Sequence, residues 1–161
     1  MPGGADTHNM PMEIKQIFED KKQYLDLLLL ADEQEDMIDR YLEKGDLFAL
    51  FDPEPKAVCV VLELGDGVFE IKNLAVHPRC QGRGYGRQMI DFAMSHYRPH
   101  LTKMLVGTGD SPLTVPFYEK CGFRESHRVK NFFTDNYDHP IIEAGVRLVD
   151  MVYLSRTPGK E

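Results

Sequence analysis

Gln81 is followed by three closely spaced glycines, Gly82, Gly84 and Gly86, where an alternating apolar run gives way to an amphipathic helical pattern. The run before them, Phe69–Val76, alternates and contains β-branched residues, which predicts a strand. The pattern after them recurs at helical spacing through Gly86, Met89, Ile90, Ala93, Met94 and Tyr97. A glycine-rich turn that opens a helix directs unpaired backbone N–H groups outward at the positive end of the helix dipole. With Arg79, Arg83 and Arg87 beside it, this turn indicates a ligand that carries a diphosphate.

The spacing of the glycines excludes the common dinucleotide fingerprint. A G-x-G-x-x-G motif that starts at Gly82 or at Gly84 would need a third glycine where the chain has Arg87 or Met89. The phosphate-loop pattern that ends in Gly-Lys-Ser/Thr is also absent. The pattern that does fit is Q-x-x-G-x-G, formed by Gln81, Gly84 and Gly86, and here the chain resembles the GNAT superfamily of acetyl-CoA-dependent N-acetyltransferases.

A second segment, Phe117–Phe123, resembles the GNAT helix that ends in Phe/Leu-Tyr-x-x-x-Gly-Phe. The residues before it predict a helix start, with Ser111 as the cap and Pro112 at the first helical position. Gly122 supplies a left-handed stop. Pro116 lies inside the predicted helix, where it removes a backbone donor and should kink the helix.

The order of elements supplies a third match. Strands are predicted over residues 12–18, 47–51, 57–64, 69–76, 101–108, 123–130 and 148–155. Four helices are predicted: one over residues 21–30, one that begins at a capping box formed by Asp32 and Glu35, one after the glycine turn and one around Tyr118. Gly65-Asp66-Gly67 is expected to turn a hairpin. The resemblance implies the GNAT fold of the α/β (α+β) class. That fold has a mixed, mostly antiparallel sheet of about seven strands, about four flanking helices and a splayed cofactor cleft.

The resemblance also implies which residues bind acetyl-CoA as co-substrate. Backbone groups of Leu74, Ala75 and Val76 would bond the pantetheine arm, and an N–H near Val76 would face the thioester carbonyl. The remaining positions are Gln81, Gly82, Arg83, Gly84, Tyr85, Gly86 and Arg87 around the diphosphate, with Ser111 and Phe117 near the second helix. Ser111 stands where the family usually has Asn, and serine reaches less far.

Tyr118 is the predicted general acid. A phenol within hydrogen-bond reach can return a proton to the coenzyme A thiolate as it leaves, and tyrosine stays protonated at neutral pH. The alternative is a core aromatic residue near a helix end.

Glu70, eleven residues before Gln81, is the predicted general base. In the histone-acetylating branch of the family a strand glutamate at this spacing has that role, receiving the proton that an amine must lose. The alternative is an outward-facing polar residue in an alternating strand.

The acceptor is expected to contact Asn73 and the aromatic, acidic segment 131–140. Within that segment, Asp135 would attract an amine, while Phe133 and Tyr137 would cover its carbon frame. A solvated loop with a small aromatic cluster is the alternative. The run Ile141–Gly145 is read as the end of a short helix.

The resemblance thus implies an acyltransferase that moves acetyl from acetyl-CoA to a primary amine of a small molecule or peptide, by direct attack through a tetrahedral intermediate. A non-catalytic acyl-CoA-binding sensor module is the alternative. The identity of the amine, the choice between Glu70 and a water as base, and the pathway are left open by the sequence.

Composition sets the remaining bounds. The 161 residues predict one domain over 12–156, with 1–11 as a mobile tail or expression remnant and 157–161 as a C-terminal tail. A net charge of -7 argues against nucleic-acid and anionic-membrane partners, and no apolar run has the length of a membrane span or signal peptide. The three cysteines are widely spaced, which favours a reducing cytoplasm over a disulfide framework. No histidine spacing indicates a metal site, and a homodimer is possible because such dimers are common in the superfamily.

Overall fold

The structure is a computed structural model that describes residues 11–159. Its strands are β1 (Glu13–Ile17), β2 (Asp46–Phe51), β3 (Pro55–Gly65), β4 (Val68–Val76), β5 (Lys103–Gly109), β6 (Arg124–Val129), β7 (Ile142–Glu143), β8 (Val146–Arg147) and β9 (Met151–Arg156). Its α-helices are α1 (Leu25–Ala31), α2 (Glu35–Asp39), α3 (Tyr85–Tyr97), α4 (Thr114–Lys120) and α5 (Phe132–Asn136). Residues 1–10 and 160–161, which belong to the two predicted tails, lie outside the described residues.

Seven strands form one mixed sheet, as the resemblance implied, and their order is β1-β2-β3-β4-β5-β9-β6. The pairs β1–β2, β2–β3, β5–β9 and β6–β9 are antiparallel, whereas β4 and β5 are parallel from Val68 opposite Lys103 to Ile71 opposite Val106. A parallel pair needs a crossover connection, and α3 supplies it. The expected hairpin between β3 and β4 is confirmed, with Gly65, Asp66 and Gly67 all at positive φ.

The described chain divides into two compact units. The first unit comprises residues 11–62 and Lys72–Ser95, and the second comprises Glu63–Ile71 and residues 96–159. Strand β4 therefore contributes residues to each unit.

The core of the first unit joins α1 and α2 to strands β2 and β3. Alternate residues of each strand are apolar and point to the same face, so they pack as one layer. The buried members of this core are Leu28, Ile38, Tyr41, Leu42, Leu47, Ala49, Val58, Val60 and Ala75. Phe48, on the alternate face of β2, packs edge-on against Phe92 of α3. The helical face predicted for α3 is likewise buried from Gly86 to Tyr97.

The second unit contains a small cluster of buried Phe133, Ile141 and Leu148 in the segment between β6 and β9. This segment was predicted as a loop, but it contains α5, which begins after Asn131 at φ 57°. The prediction that Ile141–Gly145 ends a helix is wrong. These residues form the β7–β8 hairpin, because Ala144 and Gly145 both adopt the positive φ that a two-residue hairpin turn needs.

Two predicted helix starts are also wrong. Helix α2 begins at Glu35 with Gln34 as its N-cap, and Asp32 instead ends α1 and accepts a hydrogen bond from the Tyr41 hydroxyl at 2.9 Å. Helix α4 begins at Thr114, two residues beyond Pro112. Pro116 consequently lies in the first turn, where backbone N–H groups have no intrahelical acceptor, and the expected cause of a kink is absent.

Helix α1 offers a matched test of the core of the first unit. Leu28 is fully buried, whereas Leu30 on the same helix is 50% exposed. We expect Leu28→Ala to lower the free energy of unfolding by about 2–5 kcal/mol, since it removes buried methyl groups and leaves a cavity. Leu30→Ala should change the free energy by less than about 0.5 kcal/mol. Urea unfolding followed by circular dichroism measures both, and equal losses would contradict the packing described for α1.

Candidate functional site

The glycine turn of the first unit has a left-handed backbone at two positions. Gly82 and Gly84 have φ of 81° and 85°. A Cβ built at either glycine would meet no atom within 4 Å, so the conformation, and not crowding, requires glycine there. Helix α3 starts directly afterwards, and the Gln88 N–H donates to the Gly84 carbonyl at 3.0 Å. The turn therefore presents open backbone at a helix N-terminus.

Side chains hold the glycine turn at both ends. The Gln81 amide donates to the Val76 carbonyl at the end of β4, at 3.3 Å. The Tyr85 hydroxyl donates to the Asp52 carboxylate, after β2, at 2.5 Å. This hydrogen bond to Asp52 is the main reason that the pKa of Tyr85 is raised. Both ends of the turn are thus tied to neighbouring elements by side-chain hydrogen bonds.

The charge around the turn suits an anion. Arg79, Arg83 and Arg87 are all exposed, and the thirteen residues of α3 direct their dipole's positive end toward the turn. Nearby, His77 Nδ1 accepts from the Arg79 N–H at 3.2 Å and caps the short 3₁₀ turn Pro78–Cys80. Open backbone, helix dipole and guanidinium groups together fit the oxygens of a diphosphate.

Asn73 lies in a buried polar chain of the first unit. Its side-chain amide donates to the Leu28 carbonyl at 3.0 Å and to the Tyr41 hydroxyl at 3.1 Å, and Tyr41 in turn donates to Asp32. Burial, followed by the charge of Asp32, raises the pKa of Tyr41. Asn73 is 3% exposed, and its Oδ1 has no hydrogen-bond donor within residues 11–159. Beyond it in β4, Ala75 is buried, while Leu74 and Val76 are half-buried.

Tyr118 occupies the end of α4 in the second unit. It is 8% exposed, and its ring meets those of Phe117 and Phe123 edge-on, with centroids 5.1 and 5.8 Å away. The helix stops at Gly122, at φ 95°, where the Phe123 N–H donates to the Tyr118 carbonyl at 3.0 Å. This stop was predicted and is confirmed, and it fixes the backbone that carries the Tyr118 ring.

The start of α4 is held by Ser111, although the helix begins later than predicted. Ser111 is 3% exposed, and its Oγ accepts from the backbone N–H groups of Leu113 at 3.0 Å and Thr114 at 3.4 Å. Because the Ser111 oxygen already accepts these two hydrogen bonds, its O–H group is left to donate one.

Glu70 is 7% exposed and hydrogen-bonds with the Tyr153 hydroxyl of β9, also in the second unit. Burial, the negative charge of Glu70 and this hydrogen bond raise the pKa of Tyr153 to about 12. The Glu70 carboxylate is therefore a buried group with a phenol donor, which differs from the solvent-facing alternative considered for an alternating strand.

Phe133 and Tyr137 stack at 5.6 Å and line a cavity of about 150 Å³ in the second unit. Asp138, His139 and Arg147 also line it, and Asp135 does not. Two of the three acceptor residues predicted in this segment thus share one cavity.

Three residues with defined roles were not singled out from the sequence. Asp52 anchors the glycine turn, Tyr41 bonds Asn73, and Tyr153 bonds Glu70. Each of them lies more than thirty residues from its partner in the sequence, and each hydrogen bond joins separate parts of the fold. For the pair of Tyr153 and Glu70, the one signal in the sequence was Gly107, a glycine within a predicted strand, which the structure places opposite Tyr153.

Two absences hold for the part of the chain that the structure describes. It contains no group of His, Cys, Asp and Glu side chains that could hold a metal ion. No helix within it combines the length and the apolar character needed to cross a membrane. The three cysteines are buried, and none of them forms a disulfide.

Comparison with known proteins gives consistent matches. The family described as "Acetyltransferase (GNAT) domain" matches residues 43–125. The uncharacterized N-acetyltransferase YvbK of Bacillus subtilis is 35% identical over 139 residues, which are 84% of this chain and 90% of that protein.

Two solved structures are similar over nearly their full length. A GNAT family acetyltransferase from Elizabethkingia anophelis with acetyl-CoA bound has a TM-score of 0.85 and 34% identity, covering 91% of this chain and 97% of that one. A Bacillus subtilis acetyltransferase in complex with CoA has a TM-score of 0.83 and 33% identity, covering 91% and 99%.

Proposed function

Because the chain belongs to the GNAT family of acetyltransferases, we propose that it transfers the acetyl group of acetyl-CoA to a primary amine by direct attack. The observation that carries this proposal is the open, left-handed glycine turn at the N-terminus of α3. Its open backbone at a helix N-terminus suits the oxygens of a diphosphate. Most of the rate enhancement would come from holding the amine against the thioester, with proton transfers assisting.

In the first unit, the diphosphate is proposed to bind at the turn. The N–H groups of Gly84, Tyr85 and Gly86 would donate to phosphate oxygens, and Arg83 and Arg87 would add charge. Gly82 and Gly84 keep this surface free of side chains. The neighbouring strand end, Leu74–Val76, would bond the pantetheine arm through its backbone, with an N–H near Val76 facing the thioester oxygen.

In the second unit, Tyr118 is proposed as the general acid. When the acetyl group leaves, coenzyme A departs as a thiolate, and the phenol would return a proton to its sulfur. The edge-on rings of Phe117 and Phe123 limit the freedom of the Tyr118 ring. Ser111, through its remaining hydroxyl proton, and Phe117 are proposed as cofactor contacts in this unit.

Glu70 is proposed as the general base, directly or through a water. An ammonium group has no lone pair, so the acceptor must lose a proton before it attacks the thioester carbon. The buried Glu70 carboxylate can receive that proton, and its burial excludes bulk water that would otherwise compete for it.

The acceptor is proposed to be a small amine with an apolar or aromatic frame, or a peptide amine of similar character. The stacked pair of Phe133 and Tyr137 offers a flat apolar surface for such a frame, and Asp138 in the same cavity offers a negative charge. Asp135 does not line this cavity, and its contact with the acceptor stays a prediction. In the first unit, Oδ1 of Asn73 is proposed to accept a ligand N–H.

Gly84→Ala tests the binding turn. An L-residue at φ 85° is strained, so the turn should shift and acetyl-CoA affinity should fall roughly tenfold. Gly145→Ala is the matched control, because Gly145 has φ 76° and equally open surroundings in the β7–β8 turn. Isothermal titration calorimetry with acetyl-CoA measures both. Unchanged affinity in Gly84→Ala would contradict the binding of the diphosphate at this turn.

Release of free thiol from acetyl-CoA across a panel of amines tests the reaction itself. We expect acceptor-dependent release, fastest for amines that carry an aromatic or apolar frame, together with an acetylated product identified by mass spectrometry. Tight binding of acetyl-CoA without any acceptor-dependent release would instead favour a non-catalytic sensor.

Tyr118→Phe tests the general acid. Loss of the phenol proton should lower kcat roughly 100-fold, with little change in the affinity for acetyl-CoA, since the ring and its packing remain. Tyr24→Phe, in the first unit, removes a hydroxyl that has no assigned role and should leave kcat unchanged. Steady-state kinetics with saturating acetyl-CoA compares the variants, and full turnover in Tyr118→Phe would remove this residue as the acid.

A further inference from the structure

A glycine in the middle of β5 places Tyr153 within reach of Glu70. Gly107 lies opposite Tyr153 on β9, and Tyr153 lies opposite His127 on β6. On the other edge of β5, Leu105 lies opposite Glu70. Residues two apart on a strand share a face, and so do residues opposite each other on paired strands. Glu70, Gly107, Tyr153 and His127 therefore share one face of the sheet in the second unit.

The missing side chain at position 107 is what lets the phenol cross β5. A Cβ built on Gly107 would lie 3.0 Å from both Cε1 and Cζ of Tyr153, and 2.6 Å from Sδ of Met151. The Tyr153 ring consequently lies over the Gly107 backbone, and its hydroxyl, attached to Cζ, meets the Glu70 carboxylate. Any larger residue at 107 would occupy the space through which this contact is made.

The opposite side of the phenol is also fixed. The imidazole of His127 stacks on the Tyr153 ring at 4.7 Å with an interplanar angle of 1°. His127 Nδ1 lies 2.9 Å from Ser126 Oγ, which steadies the imidazole in turn. The phenol is therefore held between a backbone and a flat ring, with its hydroxyl as the polar end.

We propose that Tyr153 is a positioning residue for Glu70, whose carboxylate it holds in one orientation by donating a hydrogen bond. This inference rests on the proposed function, in which Glu70 receives the proton of the amine. A buried carboxylate needs hydrogen-bond donors, and a donor fixed by packing also fixes the direction of the remaining lone pairs. Tyr153 keeps its own proton through neutral pH, since its pKa lies at about 12.

The first experiment measures the contact without any catalysis. Difference absorbance of tyrosinate between the wild-type protein and Tyr153→Phe isolates the titration of Tyr153. Glu70→Gln removes the negative charge that opposes ionisation, so the pKa of Tyr153 should fall from about 12 toward the ordinary tyrosine value. Circular dichroism at each pH confirms that the fold persists. An unchanged Tyr153 titration in Glu70→Gln would overturn the proposal.

The second experiment is a kinetic double-mutant cycle. Tyr153→Phe keeps the ring over Gly107 and removes only the donor, so kcat should fall roughly tenfold while KM for acetyl-CoA stays constant. In the Glu70→Gln background the same substitution should have no further effect. Tyr97→Phe is the control, because this ring stacks on Phe69 in the same unit and is assigned no role in the proposed reaction. It should leave kcat unchanged.

Gly107→Ala provides an independent variant, because it displaces the phenol without removing it. It should lower kcat as Tyr153→Phe does. The double variant should lower kcat no further than either single substitution. Full kcat in Tyr153→Phe would overturn the positioning role while leaving acetyl transfer, measured by thiol release, in place. Full kcat in Glu70→Gln would remove Glu70 as base and overturn the inference with it.

Discussion

Strand β4 is the constraint on which the rest of the structure depends, because β3 and β5 are its two neighbours in the sheet, and β5 pairs with it along Val68–Ile71. Successive side chains of a strand point to opposite faces, so alternation sets the direction of each side chain along β4. Its first half carries Glu70 in the second unit. Its second half carries Asn73 and the strand end Leu74–Val76 in the first unit, and leads directly into the glycine turn. Each unit thus receives part of its proposed site from this one strand.

Each unit supports those groups with partners from other elements. In the first unit, Asp52 holds Tyr85, and Tyr41 holds Asn73. In the second unit, Gly122 fixes the end of α4 beneath Tyr118, and Tyr153 bonds Glu70. Groups that bind or transfer protons act well only when their own orientation is fixed, since small displacements of reacting atoms are costly. Under the proposed function, the supporting residues would therefore bear on activity as well as on stability.

Membership of the GNAT family and the structure bear on different parts of the function. The family establishes an acetyltransferase, and related structures hold acetyl-CoA or CoA. Neither the family nor these related structures identify the acceptor, and the stretch between β6 and β9 is the segment proposed above to bind it. Its stacked aromatic pair and its β7–β8 hairpin give it a defined shape, and so make it a testable acceptor surface.

The sequence by itself determined the features that depend on short-range chemistry. Strand alternation, the helical face of α3, the glycine turn and the Gly122 stop all follow from local backbone preferences and periodicity, and their combination specified the fold. Local rules failed where a tertiary partner competed. Asp32 has the spacing of a capping box, but its side chain accepts a hydrogen bond from Tyr41 instead. The local sequence of Ile141–Gly145 is compatible with a helix end or a hairpin, and the packing of Ile141 against Leu148 and Phe133 favours the hairpin. The pairing of Tyr153 with Glu70 was decided by the tertiary structure alone, because the two residues are 83 positions apart in the sequence. Only the register of β4, β5 and β9 places them on either side of Gly107.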